Sequence, residues 1–127
     1  MEGKKAFQTD KAGVTGGPYS QAVIHKGLIY ISGQGPIDPQ TNQVVLGTIE
    51  EEAEVTLENT RIILEEAGSS LNKVLQVTAY LLTMKEYNRF NEIYKRYFTA
   101  DPPARTCIQA GKLPFGIRVE IDAIAYV

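Results

Sequence analysis

Residues 48–82 read TIEEEAEVTLENTRIILEEAGSSLNKVLQVTAYLL, and a change of period inside this stretch decides the fold. From 48 to 67, Ala53, Leu57, Thr60, Leu64 and Ala67 recur at spacings of four and three, the pattern of a helix with one buried stripe. Thr48 caps that helix, Glu51 closes a capping box, and Gly68 supplies the stop. Residues 74–82 drop the period and become an apolar, β-branched run, which reads as a buried strand.

On the C-terminal side, Thr83 and Glu86 spell a second capping box ahead of a helix with the stripe Tyr87, Phe90, Tyr94, Tyr97 and Phe98. Pro102-Pro103 breaks the chain, and residues 104–110 and 117–127 read as strands joined by a loop with Gly111, Pro114 and Gly116. In the last run Ile117, Val119, Ile121, Ala123 and Ala125 alternate toward the helices, leaving Arg118, Glu120, Asp122, Ile124 and Tyr126 on the other face. Toward the N-terminus, 21–26 and 28–32 form a hairpin about Lys26-Gly27. The order ββ-α-β-α-ββ predicts one α+β domain over 1–127, mostly one sheet, with two helices on a single face. The mixed second face is either solvated sheet or a subunit interface, and association is the preferred reading.

Length and composition agree: 127 residues, 43% hydrophobic and 22% charged, describe an ordinary globular chain. A formal net charge of −2, with no basic run interleaved with aromatics, argues against nucleic acid as a partner. The carboxylates Glu50, Glu51, Glu52 and Glu54 read as the acidic opening turn of the first helix, favoured by its dipole. One cysteine excludes an intramolecular disulfide, and residues 1–13 carry no leader pattern, so a cytoplasmic location is expected. No window approaches the roughly 18 apolar residues of a membrane-spanning helix.

A single His and a single Cys cannot build a multi-His or Cys/His metal cage, so no metal is expected; His25 reads as a surface residue at the hairpin. Alternation puts Arg105, Cys107 and Gln109 on one face of their strand, away from the core-facing set, with Glu120 expected on an adjacent strand as Arg105's ion-pair partner or working companion. The turns Gly17-Pro18-Tyr19-Ser20 and Ser32-Gly33-Gln34-Gly35-Pro36 together outline an anion pocket with open backbone N–H groups. Asn91, inside the aromatic stripe, reads as a buried amide bonded to a nearby loop backbone, and Cys107 as a packed apolar residue rather than a nucleophile.

GPYSQA at 17–22, ISGQGPIDP at 31–39, FNEIYKRYF at 90–98, PARTCIQAGKLP at 103–114 and VEIDAIA at 119–125 resemble the YjgF/YER057c/UK114 family, and most nearly its RidA enamine/imine deaminases. The resemblance implies a chorismate-mutase-like fold, a homotrimer with a central β-barrel, and clefts between subunits. It implies cofactor-independent hydrolysis of 2-aminoacrylate, 2-aminocrotonate and their imines, products of pyridoxal-phosphate enzymes, to 2-keto acids and ammonia. Carried over, Arg105 binds the substrate carboxylate, Glu120 and the backbone carbonyl of Cys107 orient a water, and Tyr19, Ser32 and Gly33 line the pocket, with Asn91 in support. Gly35 departs from the isoleucine that many relatives carry, and the missing side chain is expected to enlarge the cleft and shift substrate preference. The competing readings are a non-enzymatic trimer that binds small carboxylates or a partner protein, and an endoribonuclease or translation inhibitor.

Overall fold

The computed structural model describes residues 3–127, so Met1 and Glu2 of the stretch read for a leader lie outside the described residues. Its elements are β1 (Lys5–Phe7), β2 (Ala22–His25), β3 (Leu28–Gln34), α1 (Ile49–Glu66), β4 (Val74–Leu81), α2 (Tyr87–Tyr97), β5 (Ala104–Gln109) and β6 (Val119–Tyr126). The strands make one mixed sheet in the order β1-β2-β3-β6-β4-β5, antiparallel except for the parallel β4–β5 pair at one edge. The expected order is present with one addition, β1, a three-residue edge strand too short to leave a pattern.

The local readings fare well where the signal is local. Lys26 and Gly27, both at positive φ, join β2 to β3 as a two-residue hairpin turn. On α1, the Thr48 hydroxyl accepts the Glu51 N–H and the Glu51 carboxylate accepts the Thr48 N–H, so the capping box is complete. The second box does not form. Thr83 instead caps a 3-10 turn, Met84–Glu86, by accepting the Lys85 N–H, and α2 starts at Tyr87. Glu86 turns away to accept a bond from Arg118 Nη1 (3.1 Å).

Both helices pack on one face of the sheet. Ala53, Leu57, Ile63 and Leu64 from α1 and Phe90, Ile93 and Tyr94 from α2 meet Ile29 and Ile31 of β3, Val77, Ala79 and Leu81 of β4, and Val119, Ile121, Ala123 and Ala125 of β6. The alternation expected for β6 is observed, with Ile117 also buried just before it. The opposite face carries Tyr30, Gln76, Thr78, Tyr80, Glu120 and Ile124, half-buried or exposed.

The acidic opening turn of α1 is present, but its members divide their work. Glu50 forms a two-bond pair with Arg89 of α2 (2.7 and 2.8 Å), which holds its carboxyl down at about 2. Glu52 is fully buried and accepts the backbone N–H groups of Arg118 (2.7 Å) and Gly47 (3.0 Å), a structural task that a dipole argument does not anticipate. Among the described residues no helix is long and apolar enough to cross a membrane.

Candidate active site

Two groups of polar side chains stand out, and the sheet separates them. The first lies where the 15–20 turn meets the end of β3 and the open face of β6. Tyr19, Ser32, Gly33 and Glu120 line an open cleft of about 330 Å³, ample for a small organic acid. Tyr19 is 55% exposed, its hydroxyl hydrogen-bonded to Thr15 and its ring packed over Gly17. Ser32 takes its place from two bonds, its N–H to Gln21 O (2.9 Å) and its hydroxyl to Ser20 O (2.6 Å).

Glu120 lies across Gly33 so closely that a β-carbon at that position would intrude on the carboxylate, which is the physical reason for glycine there. Burial, and secondarily the neighbouring Asp122 carboxylate, push the Glu120 carboxyl above its ordinary value. Asp122 is itself engaged, accepting a bond from Tyr80 OH (2.9 Å).

The second group is built on β5 and α2. In the parallel register Val77 pairs with Arg105 and Ala79 with Cys107, so both β5 residues share the helix side of the sheet with buried β4 residues. This corrects the expectation that Arg105 lies away from the core-facing set. Its guanidinium stacks over the Tyr94 ring at 4.7 Å, with Tyr87 and Phe90 at 5.6 and 5.8 Å. Nη1 donates to Asn91 Oδ1 (2.9 Å) and Nη2 to Tyr87 OH (3.1 Å). Asn91 therefore serves the arginine side chain, not a loop backbone as expected. Two of five N–H donors are used, and the others remain for an anion.

Cys107 packs against the core, and its thiol is pushed up by burial against a smaller opposing pull from Arg105. A thiol so placed is a poor nucleophile, which agrees with the packed reading. Tyr94 OH is buried without a hydrogen-bond partner, and desolvation raises it to about 12.

The expectation that Arg105 and Glu120 are neighbours is overturned within one chain. β6 pairs with β3 and β4, not with β5, and Glu120 faces the open side while Arg105 faces α2. His25 sits at the end of β2 opposite Leu28, half-buried, and lines neither group. Gly35 lines a smaller cavity behind the cleft, where Ile117 Cδ1 lies 3.1 Å from where its β-carbon would be; the room left by the missing side chain is partly filled. Among the described residues no cluster of three or more His, Cys, Asp or Glu is placed to hold a metal ion.

Sequence reasoning missed Asn59, a buried amide of α1 that holds the loops beside the first group, and the Glu52–Arg118 clasp. The only available signal was a polar residue at a helical position one step from the apolar stripe.

Comparison with known proteins gives a consistent picture. The profile of the Endoribonuclease L-PSP family matches residues 9–127. A RutC family protein of Pyrococcus abyssi is 43% identical over 123 residues, 97% of each chain. The 2-iminobutanoate/2-iminopropanoate deaminase of Mus musculus is 47% identical over 122 residues, 96% of this chain and 90% of its own. The crystal structure of a Rid-family protein from Yersinia pestis superposes with a TM-score of 0.95 at 36% identity, covering 98% of this chain and 100% of that one.

Proposed function

This chain belongs to the Endoribonuclease L-PSP family, the YjgF/Rid family, and from that premise we propose that it is a 2-imino acid deaminase acting on 2-aminoacrylate, 2-aminocrotonate and their imines. The observation that carries the reading is the setting of Glu120: a half-buried carboxylate with a raised pKa, laid over Gly33 in a cleft with Tyr19 and Ser32. The names of the mammalian relatives point the same way.

The chemistry asks for little. Water adds its oxygen to the imine carbon as a proton reaches the nitrogen; the C–N bond of that adduct then breaks, ammonia leaves and the carbonyl forms, with no change of oxidation state. Glu120 takes the proton from the attacking water and returns it to the departing nitrogen, a task suited to a carboxylate whose pKa is shifted toward neutrality. The Cys107 carbonyl helps orient the water, Tyr19 and Ser32 bound the pocket, and Arg105 clamps the substrate carboxylate through its free N–H groups. No cofactor takes part.

One chain keeps Arg105 and Glu120 on opposite faces, so we place the complete site between copies. In a homotrimer whose open sheet faces close into a central barrel, Arg105 of one subunit meets Glu120 of the next. Tyr30 and Ile108, more than 40% exposed on that open face, supply apolar surface for such a contact. We place the protein in the cytoplasm on its lone cysteine.

The test is keto-acid release from imines generated in situ by a serine/threonine dehydratase, with the solution mass measured by light scattering. Wild type should accelerate release and Arg105→Ala should not. Mixing subunits of Arg105→Ala and Glu120→Gln should restore activity, because a mixed trimer contains an interface with both residues intact; no restoration would sink the intersubunit site. An endoribonuclease, the reading the family's description carries, fits a chain of net charge −2 less well; RNA affinity that falls steeply with salt would revive it.

A further inference from the structure

We infer that Asn59, in the middle of α1, is the positioning residue that holds the two walls of the Tyr19–Glu120 cleft in register, an inference that rests on the deaminase reading for its kinetic readout alone. Asn59 is 1% exposed, and its carboxamide is fully occupied by two loops. Oδ1 accepts the Gly13 N–H (3.0 Å), while Nδ2 donates to Ile37 O (2.7 Å) and, at longer range, to Gly35 O (3.4 Å). Gly13 begins the segment that carries Thr15 and Tyr19; Gly35 and Ile37 continue the segment that carries Ser32 and Gly33. One amide thus fixes the backbone on both sides of the cleft.

A second amide helps at the outer end: Asn42 Oδ1 accepts the Val14 N–H (3.0 Å), and Ile37 is bridged to Val44. Gln21 Nε2 reaches Gly13 O at 3.4 Å, and between the loops lies a cavity of about 50 Å³ lined by residues of both. Tyr19 and Gly33 line this cavity and the cleft alike, so a shift of either loop changes the cleft's width. The loops approach closely at Gly13, where a β-carbon would lie 2.6 Å from Ile37 Cβ. Asparagine is a poor helix-interior residue, and here its helical cost is offset by loop backbone groups that no strand partner satisfies.

Asn59→Leu removes all three bonds while keeping a side chain branched at Cγ with the same number of heavy atoms. Thr60→Val is the control, because the Thr60 hydroxyl donates to Thr56 O one turn back and makes no hydrogen bond to either loop. Amide exchange over residues 12–17 and at Gly35 and Ile37 should accelerate at least tenfold in Asn59→Leu and stay unchanged in Thr60→Val. kcat/KM should fall on the order of tenfold to a hundredfold in Asn59→Leu, the scale of a misplacement near 1 Å. In that background Tyr19→Phe should cost little more, since the ring is already misplaced. If Asn59→Leu does not fold, Gly13→Ala, which wedges the loops apart from the other side, should reproduce both effects. Unchanged exchange in both loops, or a kinetic loss that simply adds to that of Tyr19→Phe, overturns the inference. Should the wild type fail to turn over imines, the deaminase reading falls and the exchange measurement alone decides the role of Asn59.

Discussion

The two halves of the proposed site are held by different physics. Around Glu120 the chain is loop and strand end, fixed by hydrogen bonds to backbone carbonyls, from the Ser32 hydroxyl to Ser20 O and the Ser32 N–H to Gln21 O, and by the close approach that Gly33 permits. Around Arg105 the holding groups are side chains of one helix, where Tyr87, Asn91 and Tyr94 recur at helical spacing and present two acceptors and a ring face to the guanidinium. In the first half an added methyl at Gly33 meets the Glu120 carboxylate; the second tolerates changes that keep a ring and an acceptor in place. The catalytic half is therefore a matter of fit, and the anchoring half a matter of charge orientation.

That contrast orders the expected effects of substitution. Glu120→Gln keeps the shape of the first half and removes its proton acceptor, so kcat should fall by about a thousandfold, within the range of general acid–base catalysis, while binding of a 2-keto acid survives. Because Glu120 works ionised and its pKa is raised, wild-type kcat/KM should fall with decreasing pH at a midpoint above the ordinary carboxylate range. The same shift means that ionising Glu120 costs folding stability. Glu120→Gln should therefore be the more stable protein at neutral pH, and that gain should disappear once the pH drops below the ordinary carboxylate value. A thermal melt at both pH values checks the sign.

Arg105→Lys tests the other half by keeping charge and discarding the planar fork. The ammonium cannot donate to Asn91 and Tyr87 while gripping a carboxylate with two parallel bonds, so kcat/KM should fall about a hundredfold. Equal activity of lysine and arginine would reduce the clamp to a point charge. Gly33→Ala comes next, at about tenfold, since its methyl pushes the Glu120 carboxylate out of line. The displaced carboxylate is better hydrated, so the acid limb should move down toward the ordinary value; an unmoved limb would mean that burial at Gly33 is not what raises it.

Much of this was readable from sequence where the signal is local or strictly periodic. The capping box at Thr48, the turn at Lys26-Gly27 and the alternation of β6 need only neighbours within a few residues. The face of Arg105 was not readable for a specific reason. β5 is a short edge strand whose two faces, Arg105-Cys107 and Thr106-Ile108, differ little in polarity; Ile108, the most apolar of the four, is 45% exposed. Which face is inside is settled by the parallel pairing with β4, a long-range fact that alternation does not contain. The second capping box failed because Glu86 has a stronger partner in Arg118, 32 residues away. Glu52 and Asn59 were invisible for a related reason: each is one polar letter bonded to backbone groups far along the chain, Arg118 for Glu52 and Gly13 and Ile37 for Asn59.

The smallest effect separates ring from hydroxyl in the anchoring half. Tyr94 is 7% exposed, its OH has no hydrogen-bond partner, and burial disfavours its ionisation. What it gives Arg105 is a ring face at 4.7 Å, and phenylalanine offers nearly the same face. Tyr94→Phe should leave kcat/KM unchanged and stabilise the fold by about 1 kcal/mol, the low end of the cost of a buried unsatisfied hydroxyl. Denaturant melts and the imine assay measure the two sides. A rate loss with no change in stability would mean that the hydroxyl reaches the bound substrate or its water, and the anchoring half would then share in the chemistry as well as in binding.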